Sequence, residues 1–259
     1  MSDIRKYVEL IETAESITET PMPEYVHKRR TYYHGTSSKD AAESIMKEGI
    51  KVNEYEKGKG ANLIPVSGRN YITPDLSYAM IYAIGGDMLG SELPDSFIER
   101  NGQYGYVFVI KGNQLGDIQP DEDSIGEVVH HIVSGDWDTE EKFKKSLKYI
   151  SSAKQRKFYR NVYKDRQLTS ELGSETLNSL TSNQLRELKD GEYEMYAHTG
   201  KKLVKTLDHK YLLKLITHGA HIANDSVLIP NETWKIDKKR CQELKKDGSN
   251  FFQIAEHIK

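Results

Sequence analysis

A few short groups of residues in this chain carry side chains suited to work on a bound ring and its sugar. Tyr33, His34, Gly35 and Thr36 are consecutive, Tyr71 and Thr73 flank Ile72, and Tyr82 follows Tyr71 at an interval of 11 positions. Asp225 stands after Asn224 and just before the apolar run Val227-Leu228-Ile229. Two tyrosine faces can hold a flat ring by stacking, at about 0.5–1.5 kcal/mol per pair beyond the area buried. A glycine beside a histidine lets backbone approach a ligand closely. The histidine can hydrogen-bond a sugar hydroxyl, and a carboxylate can stabilise the positive charge that develops at an anomeric carbon as its leaving group departs. Singly, each has an ordinary reading as a packed histidine, a core or surface tyrosine, or an Asn-Asp turn before a strand.

The elements that must position these groups alternate between strand and helix. TYYHG, from Thr31, reads as a strand, and a helix follows, opened by Ser37 or Ser38 and closed by Gly49. RNYIT predicts another strand. The next helix runs from about Asp75 to Ile84, with Leu76, Ala79, Met80 and Ala83 on its apolar face and Gly85-Gly86 as its stop. Residues 105–112, GYVFVIKG, alternate aromatic and β-branched positions and give the clearest strand. Residues 203–219 predict one amphipathic helix ending at Gly219, followed by strands at SVLIP and at TWKI, 233–236. At the other end, residues 4–15 predict a short helix with Ile4, Tyr7, Val8 and Ile11 on one face, and a Pro-containing arm breaks it.

The HGTS segment with its helix, the tyrosine interval and the Asp-Leu-Ser-Tyr-Ala stretch between them together resemble the ADP-ribosyltransferase superfamily. The similarity is to its His-Tyr-Glu branch, which includes poly-ADP-ribose polymerases and diphtheria-type toxins. It implies an α+β fold with a split β-sheet and an NAD cleft over residues 31–236, carrying a charged, largely helical insertion at about 117–200. Residues 1–30 would form an N-terminal helix and arm, and 237–259 a C-terminal helical tail. The implied activity is mono-ADP-ribosyl transfer from NAD, the co-substrate, to a protein or nucleic-acid acceptor, with release of nicotinamide and no metal. His34 would hold the adenine-side ribose, Tyr71 and Tyr82 the nicotinamide, Gly35 and Thr36 would line the NAD site, and Asp225 would act on the nicotinamide ribose.

Two departures from the family pattern bear on this. A serine that often bonds the carboxamide is replaced by Ala79, which leaves that contact to backbone at Gly35. The acid is Asp225 where the family has Glu; one methylene less sets the carboxylate about 1.5 Å back, and misplacement on that scale can cost about 10²-fold. A rival carboxylate lies in the acidic segment 120–127, at Glu122 or Glu127, whose ordinary reading is a solvated loop or helix start. The alternatives in function are an NAD glycohydrolase and a non-catalytic binding or virion-associated module on the same fold. The opening of the chain is similar in texture to proteins encoded by tailed phages.

Composition narrows the rest. With 37 Lys+Arg against 39 Asp+Glu in 259 residues, the net charge is −2 and no global field draws nucleic acid or anionic membrane. Charge is instead blocked: residues 117–141 hold 9 acids and no base, and residues 142–166 hold 10 bases and 1 acid with 5 aromatics interleaved. Such a basic segment can follow a phosphate backbone while Phe143, Tyr149, Phe158, Tyr159 or Tyr163 stack on bases, or its aromatics can pack inward from a solvated helix pair. A single cysteine, Cys241, forms no internal disulfide and no cysteine zinc site. The charged opening lacks the apolar stretch of a secretory signal, and the longest such run, Leu76 to Gly86, is short of the roughly 20 residues that span a bilayer, so a soluble cytoplasmic protein with no membrane partner is expected. His130-His131, His198, His209, His218 and His221 lack recognised metal spacing. No Walker loop, dinucleotide fingerprint or nucleophile elbow is present, and Gly58-Lys59-Gly60 is only a short glycine-containing loop that could lie near a dinucleotide.

Overall fold

Residues 105–110 are buried without interruption, as suits a strand covered on both faces, and this strand is the middle of the main sheet. The computed structural model describes residues 28–52, 70–85, 93–116, 118–150, 153–218, 221–223, 227–243 and 250–258. In chain order the first elements are β1 (Thr31–Thr36), α1 (Lys39–Glu48), β2 (Ile50–Lys51), β3 (Asn70–Ile72), α2 (Leu76–Ile84), α3 (Asp95–Asn101), β4 (Tyr104–Lys111) and β5 (Ile118–Pro120). Seven helices follow: α4 (Glu122–Val133), α5 (Glu140–Ser146), α6 (Ala153–Lys164), α7 (Arg166–Ser179), α8 (Ser182–Lys189), α9 (Tyr193–Thr206) and α10 (His209–His218). The chain then returns through β6 (His221–Ala223), β7 (Val227–Leu228), β8 (Glu232–Asp237), α11 (Lys238–Glu243), α12 (Phe251–Ile254) and β9 (Glu256–His257).

The class is α+β, with antiparallel strands. One sheet has the order β1-β4-β8-β9, a second β3-β6-β5, and β2 pairs with β7. Tyr33 and Thr73 exchange backbone hydrogen bonds of 2.8 and 3.0 Å, which ties β1 to the residue after β3 and joins the two larger sheets. Helix α2 begins where Asp75 accepts a hydrogen bond from the Ser77 N–H and ends at Gly85, whose φ of 114° is left-handed. It lies directly against the sheet because two strand residues lack a Cβ. A Cβ on Gly35 would stand 1.9 Å from the Ala79 carbonyl oxygen, and one on Gly105 2.2 Å from that of Ala83.

Helices α4 to α10 form a unit with its own core, in which Trp137, Phe143, Phe158, Tyr159 and Tyr163 join Leu168, Leu172, Leu188 and Leu203. Its centre is the crossing of α4 on α9, where added Cβ atoms would meet backbone: 2.2 Å from the Tyr196 oxygen at Gly126, 1.8 Å from the Glu122 oxygen at Gly200.

Three expectations change. The helix predicted over 203–219 is two, because Leu207 turns into the core and Asp208 accepts from the Lys210 N–H at 3.0 Å to start a new helix. The helical unit therefore spans residues 122–218, and residues 118–120 of the expected insertion are a sheet strand. The tail is not purely helical, since β9 extends the sheet on β8 and Phe251 is fully buried beneath it. The helix predicted at 4–15, its arm up to residue 27, and Gly58-Lys59-Gly60 lie outside the described residues. No helix among the described residues is long and apolar enough to cross a membrane.

Candidate functional site

His34, Tyr71 and Glu122 are distant in sequence and linked in space. β1 presents His34 beside β3, and its Nδ1 lies 3.0 Å from the backbone oxygen of Tyr71. A carbonyl only accepts, so Nδ1 carries the proton and donates, which leaves Nε2 as the acceptor of the neutral ring. Burial pushes the His34 pKa below its ordinary value, and the bond to Tyr71 offsets this in part. The Tyr71 hydroxyl in turn donates to Glu122 Oε1 at 2.9 Å.

The strands explain this meeting. β6 pairs with β3 on one side and β5 on the other, with Ile222 opposite both Tyr71 and Gln119. β5 therefore ends beside the tyrosine strand, and the chain turns into α4 there, with Asp121 accepting from the Asp123 N–H at 3.0 Å as the cap. Glu122 is the first residue of the helix, where the N-terminal end of the helix dipole favours a negative charge. It is 1% exposed, and its Oε2 is buried without a hydrogen-bond partner. A buried unpartnered polar group costs about 1–3 kcal/mol, a cost that a donor reaching this oxygen would relieve.

Further acids and tyrosines crowd the same helix start. Burial and the Glu122 charge raise the Asp123 carboxyl to about 7, with Lys201 opposing. Asp121 is raised well above the carboxylate range by burial and by Asp123 and Glu122. Tyr78, one α2 turn before Tyr82, is pushed up by burial, by Tyr82 and by the Asp121 charge. The rings of Tyr78 and Tyr82 meet edge to face at 5.5 Å with their hydroxyls 3.5 Å apart. Tyr82 remains 44% exposed.

The described contacts thus unite His34, Tyr71 and Glu122, and the ring of Tyr82 meets that of Tyr78. Gly35 serves the α2 crossing, and the Thr36 hydroxyl accepts from the Ser38 N–H at 3.3 Å, bracing the turn into α1. Asp225 lies outside the described residues, two positions beyond β6. Tyr78 was missed by sequence reasoning, although its spacing of i, i+4 from Tyr82 on a predicted helix is a readable signal.

The basic segment is corrected in one respect. Phe143, Phe158, Tyr159 and Tyr163 are buried and cannot stack on bases; Tyr149 alone of the five aromatics stands out, 83% exposed. Amphipathic helices turn their large rings inward: Phe143 stacks on Tyr163 at 3.9 Å, and Trp137 meets both edge-on. Lys142 and Lys144 pair with Asp138 and Glu140, so the acidic and basic blocks partly neutralise each other on the surface.

The elements define an α+β protein whose small antiparallel sheets carry a His-Tyr-carboxylate link at the root of a helical unit. No family model, curated protein or solved structure matches the chain.

Proposed function

We propose that this protein cleaves NAD at the bond between nicotinamide and ribose and transfers ADP-ribose to a macromolecule. The observation that carries this reading is the His34–Tyr71–Glu122 link, which ends in a buried carboxylate oxygen with no partner. Tyr71 is held twice, at its carbonyl by His34 and at its hydroxyl by Glu122, so its ring is preorganised to stack on a flat heterocycle. His34 keeps Nε2 to accept a ribose hydroxyl proton. Glu122 offers Oε2 to a hydroxyl of the second ribose, and its negative charge stabilises the cation at the anomeric carbon.

In the reaction the carbon–nitrogen bond breaks, nicotinamide leaves with the electron pair, and the acceptor nucleophile bonds to the carbon and gives up a proton. In this reading Glu122 takes the carboxylate role first assigned to Asp225, because Glu122 is the acid joined to Tyr71. Asp225→Ala then retains most turnover, and Glu122→Gln loses it. A second reading, hydrolysis with water as acceptor, is favoured by the burial of the aromatic platform that a nucleic-acid acceptor would have used.

Incubation with NAD labelled in its adenylate half, with nicotinamide measured alongside, tests both. Nicotinamide release with label on a macromolecule supports transfer, and protease or nuclease digestion then identifies the acceptor. Release without labelled macromolecule means hydrolysis. No release and no calorimetric binding of NAD overturns the reading.

A further inference from the structure

Away from the sheet, the last turn of helix α4 carries two adjacent histidines, and the turn after it returns an aspartate to them. His130, His131 and Asp136 can each offer one ligand atom, and these atoms lie within 4.8 Å of one another. From this geometry we infer that His130, His131 and Asp136 bind a divalent transition-metal ion of the zinc class.

Two imidazoles and one carboxylate are a borderline-soft donor set, suited to zinc, cobalt, nickel or copper, whereas calcium and magnesium prefer oxygen throughout. Bonds of about 2.0–2.1 Å in a tetrahedron put donors about 3.3–3.4 Å apart, so the widest pair has to close by up to about 1.5 Å, while the His131–Asp136 pair gives up its hydrogen bond to the metal and opens by about 0.4 Å. Each ligand is already oriented. His130 Nδ1 donates to the Leu188 carbonyl at 2.7 Å, which leaves Nε2 with the free lone pair. His131 Nδ1 lies 2.9 Å from Asp136 Oδ2, and its ring is stacked on Trp137 at 5.7 Å. Asp136 is fixed by its own N–H, which donates to the His131 carbonyl at 3.0 Å across a turn that Gly135 makes at φ 77°. Three protein ligands leave a coordination position open. A cavity of about 450 Å³ lined by His131, Asp136, Glu127, Lys142 and Lys145 gives that position room for water. Adjacent histidines with an aspartate five positions on match no common metal spacing, so the site is visible only once the turn is folded.

The test uses the full chain, freed of metal with chelator and titrated with zinc chloride by calorimetry and with cobalt chloride by visible absorption. Trp137 is a built-in reporter: in a Trp234→Phe background, cobalt at the site quenches its emission. One equivalent bound at micromolar affinity or tighter is expected, weakened at least tenfold by Asp136→Asn and by His131→Gln, with quenching lost in parallel. The Asp136 side chain is about half accessible, and circular dichroism verifies that its variant keeps the fold. Absence of saturable binding up to millimolar metal, or affinity unchanged in both variants, overturns the assignment.

Discussion

Helix α4 carries two carboxylates that each act on a tyrosine hydroxyl, and the two meet different surroundings. Glu122 faces the sheet and accepts a hydrogen bond from the Tyr71 hydroxyl. Glu127, five residues on, acts on the Tyr159 hydroxyl in the helical unit, where its charge helps to hold the phenol neutral. Tyr159 is sealed among Trp137, His131 and Phe158, with ring separations of 5.6, 6.0 and 5.5 Å, and its pKa is driven well up by burial and then by Glu127. Tyr71 is only half-buried, and Glu122 keeps one oxygen without a partner. The same pair of groups thus serves packing in one region and leaves a buried carboxylate oxygen without a partner in the other. Rings that satisfy each other make a core; hydroxyls and carboxylates left partly unsatisfied beside exposed tyrosines make a site.

Removing a ring from the closed region should have the largest effect. Phe143→Ala deletes the partner stacked on Tyr163 and should cost about 3–5 kcal/mol in denaturant unfolding, while nicotinamide release by the folded fraction stays unchanged. Gly200→Ala comes next, at about 3 kcal/mol, the upper end for overpacking because the obstacle is the Glu122 backbone. Gly173→Ala is its control: the nearest atom to an added Cβ is Ile132 Cγ2 at 3.5 Å, so this helical position should gain about 0.5–1 kcal/mol. Tyr71→Phe leaves Glu122 without its donor and should cost about 1.5–3 kcal/mol, together with a loss of turnover that Tyr149→Phe does not share.

The smallest effect is in pH. Asp123 has a folded pKa raised to about 7, so the folded state binds its proton more tightly than the unfolded chain. That contribution is complete below the ordinary aspartate range and is lost as pH rises from about 4 to about 7. His34 acts oppositely: its folded pKa is lowered, so its contribution is present above the ordinary histidine value and fades as pH falls below it. Asp123→Asn should therefore flatten the decline in Tm between pH 4 and about 7 and leave the His34 contribution in place.

Much of the sheet and its first two helices was legible because the signals are local. Ser38 and Asp75 cap where their types predict, Gly49 and Gly85 end helices, and the aromatic and β-branched run at 105–110 forms a strand as its residue types predict. The break at Leu207-Asp208 was hidden because the apolar spacing continues through it in phase, so only the cap chemistry of Asp208 marks it. β9 owes its form to pairing with β8, and two residues carry no propensity signal of their own. The site was half legible. His34 and Tyr71 stood out by type and order, but Glu122 reaches Tyr71 only because β6 lies between β3 and β5, a long-range register that no local pattern encodes.

The most direct test of this account is nicotinamide release at saturating NAD by two matched variants of α4, Glu122→Gln and Glu127→Gln. The account predicts a fall of about 10²–10³-fold in Glu122→Gln, as expected when charge stabilisation of the transition state is removed, with Glu127→Gln within a few-fold of the parent. Equal turnover in Glu122→Gln and the parent, or a larger loss in Glu127→Gln, would contradict it.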